Sequence, residues 1–186
     1  MSGAPNIPAG YAIRLADVAD APALRVFGRR LLGETEFFLR GPDERARDDA
    51  EMARIIRSFE AAPDALLLNA WSGAPTDGAA GDPVAEGTLI PGPLTRTRAT
   101  ASVGVGVLRA HWGRGLARAL MQAVEAHARA RGLRRLELTV FAPNERARAL
   151  YDRLGYAVEG VKRRSVELPT HGPTDEILMA KLLDAP

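Results

Sequence analysis

The chain has no cysteine. This excludes disulfide bonds, zinc sites built on thiolates and a cysteine nucleophile, and it fits a reducing compartment. No stretch approaches the ~18 consecutive apolar residues of a membrane-spanning helix. The N-terminus also lacks the basic segment and the apolar run of a signal peptide. We therefore expect a soluble, cytoplasmic protein that has no membrane partner.

Lysine is scarce as well, so arginine carries nearly all the positive charge of a chain whose formal net charge is +2. Acidic residues almost match the arginines in number, which gives weak support to a nucleic-acid surface. The basic run at 129–135 keeps nucleic-acid binding open as a minor alternative, and we expect no nucleic-acid partner. The histidines His111, His127 and His171 do not fall at ligand spacing with acidic residues, so no metal site is predicted.

The rest of the composition is that of an ordinary globular chain, with 46% hydrophobic and 26% charged residues. Its length and even composition predict one domain over residues 11–184, preceded by a flexible tail at 1–10. Residues 72–83 are rich in Gly, Pro, Asp and Ser, which predicts a loop there. Hydrophobic periodicity predicts the following elements in chain order: a strand at 11–15, a helix opening at Asp17, a helix from Pro42 to Pro63, strands at 65–71, 84–90 and 100–108, a helix at 113–131, a strand at 133–141, a helix at 144–154, and strands near 156–167 and 174–184.

A glycine turn stands between the strand at 100–108 and the helix that follows it. Its sequence is Trp-Gly-Arg-Gly-Leu-Ala, residues 112–117. The first turn of a helix leaves backbone N–H groups without intrahelical acceptors, and glycine allows an anion to approach them closely. We expect Gly113, Arg114, Gly115, Leu116, Ala117 and Arg118 to form an anion cradle for a phosphate or pyrophosphate.

Two familiar nucleotide motifs fail at this turn. The dinucleotide fingerprint G-x-G-x-x-G would need a third glycine after Gly104 and Gly106, but Arg109 stands there. The P-loop pattern G-x-x-x-x-G-K-[ST] is absent from the sequence.

The turn resembles the acetyl-CoA-binding motif of the GCN5-related N-acetyltransferases, [RQ]-x-x-G-x-[GA]. Gly115 and Ala117 match its small positions, and Trp112 stands where that family has Arg or Gln. A second segment, residues 144–156, matches the family's N-x-x-A-x-x-L-Y-x-x-x-G-[FY] at every fixed position. The resemblance covers residues 11–184 and is specific over about 101–160. It implies a mixed α/β (α+β) fold, with a mostly antiparallel sheet of six to seven strands, splayed central strands and four flanking helices.

The resemblance also implies an activity: acetyl-CoA-dependent transfer of an acetyl group to a primary amine by direct attack in a ternary complex. The amine would belong to a small molecule, an amino acid or a protein N-terminus. Pantetheine would pair with the main chain of Val105, Gly106 and Val107, and the Val107 N–H would stabilise the oxyanion. Tyr151 would protonate the leaving thiolate. Asn144 falls on the same helical face as Tyr151 and could bind the cofactor beside it.

The general base is less well indicated by the sequence. Many relatives carry a glutamate near position 102, where this chain has Ser102, and others carry an acid where it has Thr139. Glu137 is two residues from Thr139 on the same strand face, so it is our candidate base, acting directly or through water. A water chain without a dedicated base is the alternative.

Carboxylates near the N-terminal helices are candidates for binding the acceptor amine. Glu34 and Glu36 lie beside two phenylalanines and are expected to receive a cationic amine, with Glu86 as a further possibility. A non-catalytic acyl-CoA sensor on the same fold is the alternative function, because Ser102 and Thr139 replace acids of the relatives. A homodimer is a possible assembly, since dimers are common in the family.

Overall fold

The structure, a computed structural model, describes residues 6–73 and 81–183. Within these residues it contains one seven-stranded sheet in the order β1-β2-β3-β4-β5-β7-β6. Neighbouring strands are antiparallel except β4 and β5. The strands are β1 (Tyr11–Leu15), β2 (Leu66–Ser72), β3 (Pro83–Pro91), β4 (Thr100–Val107), β5 (Arg135–Phe141), β6 (Ala157–Leu168) and β7 (Gly172–Leu182).

Four α-helices flank the sheet in the described residues: α1 (Ala21–Gly33), α2 (Asp49–Glu60), α3 (Leu116–Ala130) and α4 (Glu145–Arg153). This architecture confirms the predicted fold class of a mixed, mostly antiparallel sheet with splayed central strands and four helices.

Successive residues of β4 face opposite sides of the sheet, and their contacts show which helices lie on each side. Val103, Val105 and Val107 contact the larger core, which includes the buried face of α3. Gly106 faces the other way, toward Leu31 of α1. The second core holds α1 and α2 against this opposite face. Burying an apolar stripe of each helix is the main stabilising contribution, at about 25 cal/mol per Å² of apolar surface.

Helix starts differ from the predicted ones where local caps override hydrophobic spacing. Pro42–Glu44 forms only a 3-10 turn, and α2 begins at Asp49 because the Asp48 carboxylate accepts a hydrogen bond from the Glu51 amide at 2.7 Å. The predicted helix at Asp17 begins as a 3-10 turn, with the Asp17 carboxylate as its cap, before α1 starts.

Part of the chain lies outside the described residues. Residues 74–80 of the predicted loop at 72–83 lie there, and so do residues 1–5, the first half of the predicted tail. In the described ranges, no helix combines the length and the apolar composition that would let it cross a membrane. That residues 11–184 form one domain stays a prediction.

Candidate active site

The central feature of the site is a gap between β4 and β5. These parallel strands pair only at Thr100–Ser102 with Arg135–Glu137, and beyond that point they have no paired positions. A cleft of about 820 Å³ occupies the gap and extends to the start of α3 and to α4. The loop after α1 contributes Thr35, Phe37, Phe38 and Leu39 to its wall. The splay therefore produces an open slot in the middle of the sheet.

Main-chain groups of β4 face this slot at alternate residues. The Leu108 amide donates to the Val84 carbonyl of β3 at 2.9 Å. Because bonding sides alternate along an antiparallel strand, the polar groups of Gly106 also face β3, and those of Val105 and Val107 face the gap. The expectation that the Gly106 main chain pairs with a ligand does not fit this register.

Gly106 has a packing role instead. A Cβ built on it would lie 2.6 Å from Leu31 Cδ2 and 2.9 Å from Phe38 Cζ. Its bare backbone thus lets α1 and the loop after α1 approach β4 closely. Gly106 also lines the cleft.

We expect Gly106→Ala to destabilise the fold by about 1–3 kcal/mol, since overpacking forces neighbouring side chains off their rotamers. The measurement is the free energy of unfolding in urea. Gly104→Ala is the matched control on the same strand face, where a Cβ would meet only Thr88 Oγ1 at 3.1 Å. Equal losses in the two variants would contradict the packing role of Gly106.

The glycine turn presents the N-terminus of α3 to the cleft. Gly113 and Gly115 have φ of 75° and 84°, a region that only glycine adopts without strain, and Gly115 is the N-cap residue. The first amides of α3 have no intrahelical acceptor and carry the partial positive charge of the helix end. α3 begins at Leu116, three residues later than predicted, because these two glycines are not helical.

Trp112 connects this turn to β4 and to α4. Its indole Nε1 donates to the Val107 carbonyl at 2.7 Å, which satisfies one of the groups that face the gap. The Arg146 guanidinium lies 4.4 Å from the centre of the Trp112 ring, a cation–π contact across the mouth of the cleft. The Val105 main chain and the Val107 N–H therefore still face the slot.

Helix α4 supplies the phenol predicted from the sequence. Asn144 caps the helix, its Oδ1 accepting from the Ala147 amide at 3.2 Å. Tyr151 lies seven residues on, lines the cleft and is 6% exposed. Burial raises the pKa of the Tyr151 phenol to about 12. The side chain therefore stays a neutral hydrogen-bond donor at all ordinary pH values.

Glu34 and Glu36, the predicted amine-binding residues, do not line the cleft. The Glu34 carboxylate accepts from the Arg109 amide at 2.6 Å and from Arg30 Nε at 2.9 Å. Burial disfavours its charge, but these hydrogen bonds outweigh burial and hold the pKa of Glu34 below its usual value. This placement does not favour the predicted amine binding, because the carboxylate of Glu34 fixes the end of α1 to the residues after β4.

Glu36 makes a similar clamp farther along the same loop. Its carboxylate accepts hydrogen bonds from the hydroxyl and the amide of Thr170, and His171 Nδ1 lies 2.6 Å away. The two bonds from Thr170, with His171 beside them, lower the pKa of Glu36. Together Glu34 and Glu36 hold the loop across the sheet from the end of β4 to the β6–β7 turn, outside the cleft lining.

Glu137, the predicted base, also lies outside the cleft lining. It belongs to the part of β5 that still pairs with β4, opposite Ser102. Its carboxylate is 3.1 Å from Arg135 Nε, and its side chain is 44% exposed. Glu86 is occupied as well, in an ion pair with Arg45 at 2.7 Å. The base assignment to Glu137 does not fit this placement.

Glu176 is a cleft residue that the sequence reasoning missed. It lies on β7 opposite Phe141, is 9% exposed and lines the cleft. Ser165 Oγ donates to its Oε2 at 2.8 Å, and Lys162 Nζ is 3.8 Å from the same oxygen. The one sequence signal is a glutamate that directly precedes the apolar run Ile-Leu-Met at 177–179.

The structure brings together most of the predicted cofactor residues. Arg114 is the exception: it lines a separate depression of about 420 Å³ beside the same helix end. The predicted residues that line the main cleft are Val105, Gly106, Val107, Trp112, Gly113, Gly115, Leu116, Ala117, Arg118, Asn144 and Tyr151.

Known protein structures have the same arrangement of elements. The chain is similar to an acetyltransferase of the GNAT family from Streptococcus pneumoniae, with 26% identity, a TM-score of 0.84, and 93% of this chain and 99% of that chain covered. A GCN5-related N-acetyltransferase from Kribbella flavida is also 26% identical, with a TM-score of 0.78 and coverage of 94% and 98%. YncA, a putative acetyltransferase of Salmonella typhimurium whose structure includes its cofactor acetyl-CoA, is 20% identical, with a TM-score of 0.77 and 94% of each chain covered.

Sequence comparison agrees with the structural one. YdgE, an uncharacterized N-acetyltransferase of Bacillus subtilis, is 42% identical over 59 residues, a segment that spans 32% of this chain and 38% of that protein. A model of the acetyltransferase (GNAT) family matches residues 30–156, more than half of the chain, including the glycine turn and α4. The chain belongs to the acetyltransferase (GNAT) family.

Proposed function

We propose that the protein is an N-acetyltransferase that moves an acetyl group from acetyl-CoA to a primary amine by direct attack in a ternary complex. One observation carries the proposal: the slot beside β4, the N-terminus of α3 and the Tyr151 phenol lie in a single cleft. This cleft offers, in one space, an unpaired strand edge, an anion site and a buried acid.

Acetyl-CoA fits the cleft by the chemistry of its parts. Its pantetheine amides would bond with the Val105 main chain and the Val107 N–H as an added strand does. The pyrophosphate would lie on the amides from Gly113 to Arg118, where the helix end favours negative charge. Trp112 and Asn144 line the adjoining walls. YncA, which has this fold, holds acetyl-CoA as its cofactor and supports the assignment.

The same residues account for the chemistry of acetyl transfer. The Val107 N–H faces the gap and would stabilise the oxyanion that forms when an amine attacks the thioester carbonyl. The Tyr151 phenol would donate its proton to the sulfur as the C–S bond breaks. Its raised pKa ensures that the proton is present throughout the pH range of the reaction.

The test is thiol release from acetyl-CoA over a panel of amines, amino acids, polyamines and N-terminal peptides, with acetyl-CoA binding followed by thermal shift in the same samples. We expect stabilisation by acetyl-CoA and turnover with at least one class of primary amine. Binding without turnover on any amine would favour the acyl-CoA sensor instead. No binding of acetyl-CoA would contradict the proposal outright.

A further inference from the structure

A buried carboxylate on β7, that of Glu176, lines the cleft. Glu176 follows the β6–β7 turn and lies one strand beyond β5, opposite Phe141 at the open end of the gap. Of the two carboxylates that line the cleft among the described residues, Glu145 is exposed at the start of α4, and Glu176 is buried. A buried charge needs hydrogen-bond donors or an opposite charge beside it.

Among the described residues, only one of the two carboxylate oxygens of Glu176 has polar partners. Ser165 Oγ donates a hydrogen bond to Oε2, and Lys162 Nζ lies near the same oxygen. Within residues 6–73 and 81–183, Oε1 accepts no hydrogen bond, and it is not one of the fully enclosed polar atoms that lack a partner. Oε1 therefore keeps some accessible surface, on a residue that lines the cleft, and has no hydrogen-bond donor among the described residues.

Three apolar side chains of the loop after α1 line the same cleft as Glu176. Phe37, Phe38 and Leu39 line the same cleft, and Leu39 is 76% exposed. Phe37 contacts the His171 ring, and Phe38 packs at Gly106, so the loop covers the space between β4 and the β6–β7 turn. An exposed leucine beside two aromatic rings offers apolar contact to a ligand that reaches Glu176.

From this geometry we propose that Glu176 is the residue that binds the acceptor's ammonium, and that the acceptor is a primary amine attached to an apolar or aromatic group. The inference rests on the proposed function for its chemical step. Oε1 supplies the missing acceptor of a charge-assisted hydrogen bond, and the loop at 37–39 supplies contact area for the apolar group.

Acetyl transfer to an ammonium bound at Glu176 releases one proton overall. The ammonium gives one proton to Glu176, and the free amine attacks the carbonyl carbon of the thioester. The C–N bond forms, the C–S bond breaks, and the sulfur takes the proton of Tyr151. The new amide nitrogen loses its second proton, which restores Tyr151, and the proton on Glu176 leaves to solvent. The products are the N-acetyl amine, free CoA and one proton.

The experiment uses the full chain saturated with CoA and two probes of equal shape, 2-phenylethylamine and its neutral analogue 2-phenylethanol. Calorimetry or NMR titration gives the dissociation constant of each. We expect the wild type to prefer the amine, and Glu176→Gln to weaken amine binding about tenfold without changing alcohol binding, because one charge-assisted hydrogen bond is lost. Glu159→Gln is the control, since that carboxylate pairs with Arg135 outside the cleft.

Each result of this experiment supports or contradicts the proposed role of Glu176. A wild type that binds the amine no better than the alcohol overturns the inference without any variant, which covers the case in which Glu176→Gln fails to fold. Equal amine binding in Glu176→Gln and the wild type overturns it as well. Amine binding that Glu176→Gln weakens, without acetyl transfer to any amine of the panel, supports the inference and contradicts the proposed function. Transfer to 2-phenylethylamine that is unchanged in Glu176→Gln contradicts the inference and keeps the function.

Discussion

Tyr151→Phe is expected to lower kcat by about 100-fold, within the range of roughly 10²–10⁴ that a positioned general acid contributes. The hydroxyl is the only group that the substitution removes, and the ring still fills its buried site beside Tyr156. Acetyl-CoA binding should change less than threefold, because the proposed binding groups lie on β4 and at the start of α3. Steady-state kinetics with a saturating amine, together with calorimetry of acetyl-CoA, measure both quantities.

Tyr156→Phe is the matched control. The two rings are 5.7 Å apart, but Tyr156 does not line the cleft, and its hydroxyl is buried without a hydrogen-bond partner in the described residues. Its removal should leave kcat unchanged and should not destabilise the fold. A Tyr151→Phe variant that keeps kcat within threefold of the wild type would contradict the acid role.

The pKa of Tyr151 adds a pH test of the same role. Burial raises this pKa to about 12, so the phenol keeps its proton well above the value of about 10 at which a free tyrosine ionises. Ionisation of Tyr151 should therefore cause no fall of kcat between about pH 8 and 11. The phenolate absorbance of the folded protein, followed by difference spectroscopy against Tyr151→Phe, gives the pKa directly.

Gly113→Ala is expected to weaken acetyl-CoA binding about 30-fold, equivalent to about 2 kcal/mol. An L-residue is strained at the φ of 75° that Gly113 adopts, by roughly 1–2 kcal/mol, so the turn would move its amides away from the pyrophosphate. The new Cβ would meet no protein atom within 4 Å, so a clash inside the fold does not explain the effect. Calorimetric titration with acetyl-CoA measures the change.

The opposite end of α3 provides the control. Gly132 has a φ of 72° and the same open surroundings, and it follows the C-terminus of the helix. Gly132→Ala should lose about the same stability, roughly 1–2 kcal/mol, while acetyl-CoA binding stays within threefold of the wild type. If both variants weakened binding equally, the loss would reflect general destabilisation, and the pyrophosphate assignment would be wrong.

The local features of the fold could be read from the sequence. Gly113 and Gly115 mark a turn before a helix, and β-branched alternation marks β4, because both depend on backbone preferences within a few residues. The start of α2 could not be placed from hydrophobic spacing, since the Asp48 cap decides it.

The carboxylates of the site show where sequence reasoning fails. Glu34 and Glu36 look available in the sequence, but Arg109 and Thr170, distant along the chain, occupy them. Glu137 shares a strand face with Thr139 but lies below the point where β4 and β5 separate. Glu176 enters the cleft only through the pairing of β7 with β5, a long-range register that local periodicity does not specify.

The most direct test of the central claim, that acetyl-CoA binds as an added strand in the gap, is amide hydrogen exchange by NMR with and without acetyl-CoA. The Val105 and Val107 amides face the gap and should exchange fast in the free protein and slowly once acetyl-CoA is bound. The Gly106 amide faces β3, so it should be protected in both states. Unchanged exchange at Val105 and Val107 in a protein saturated with acetyl-CoA would contradict the account.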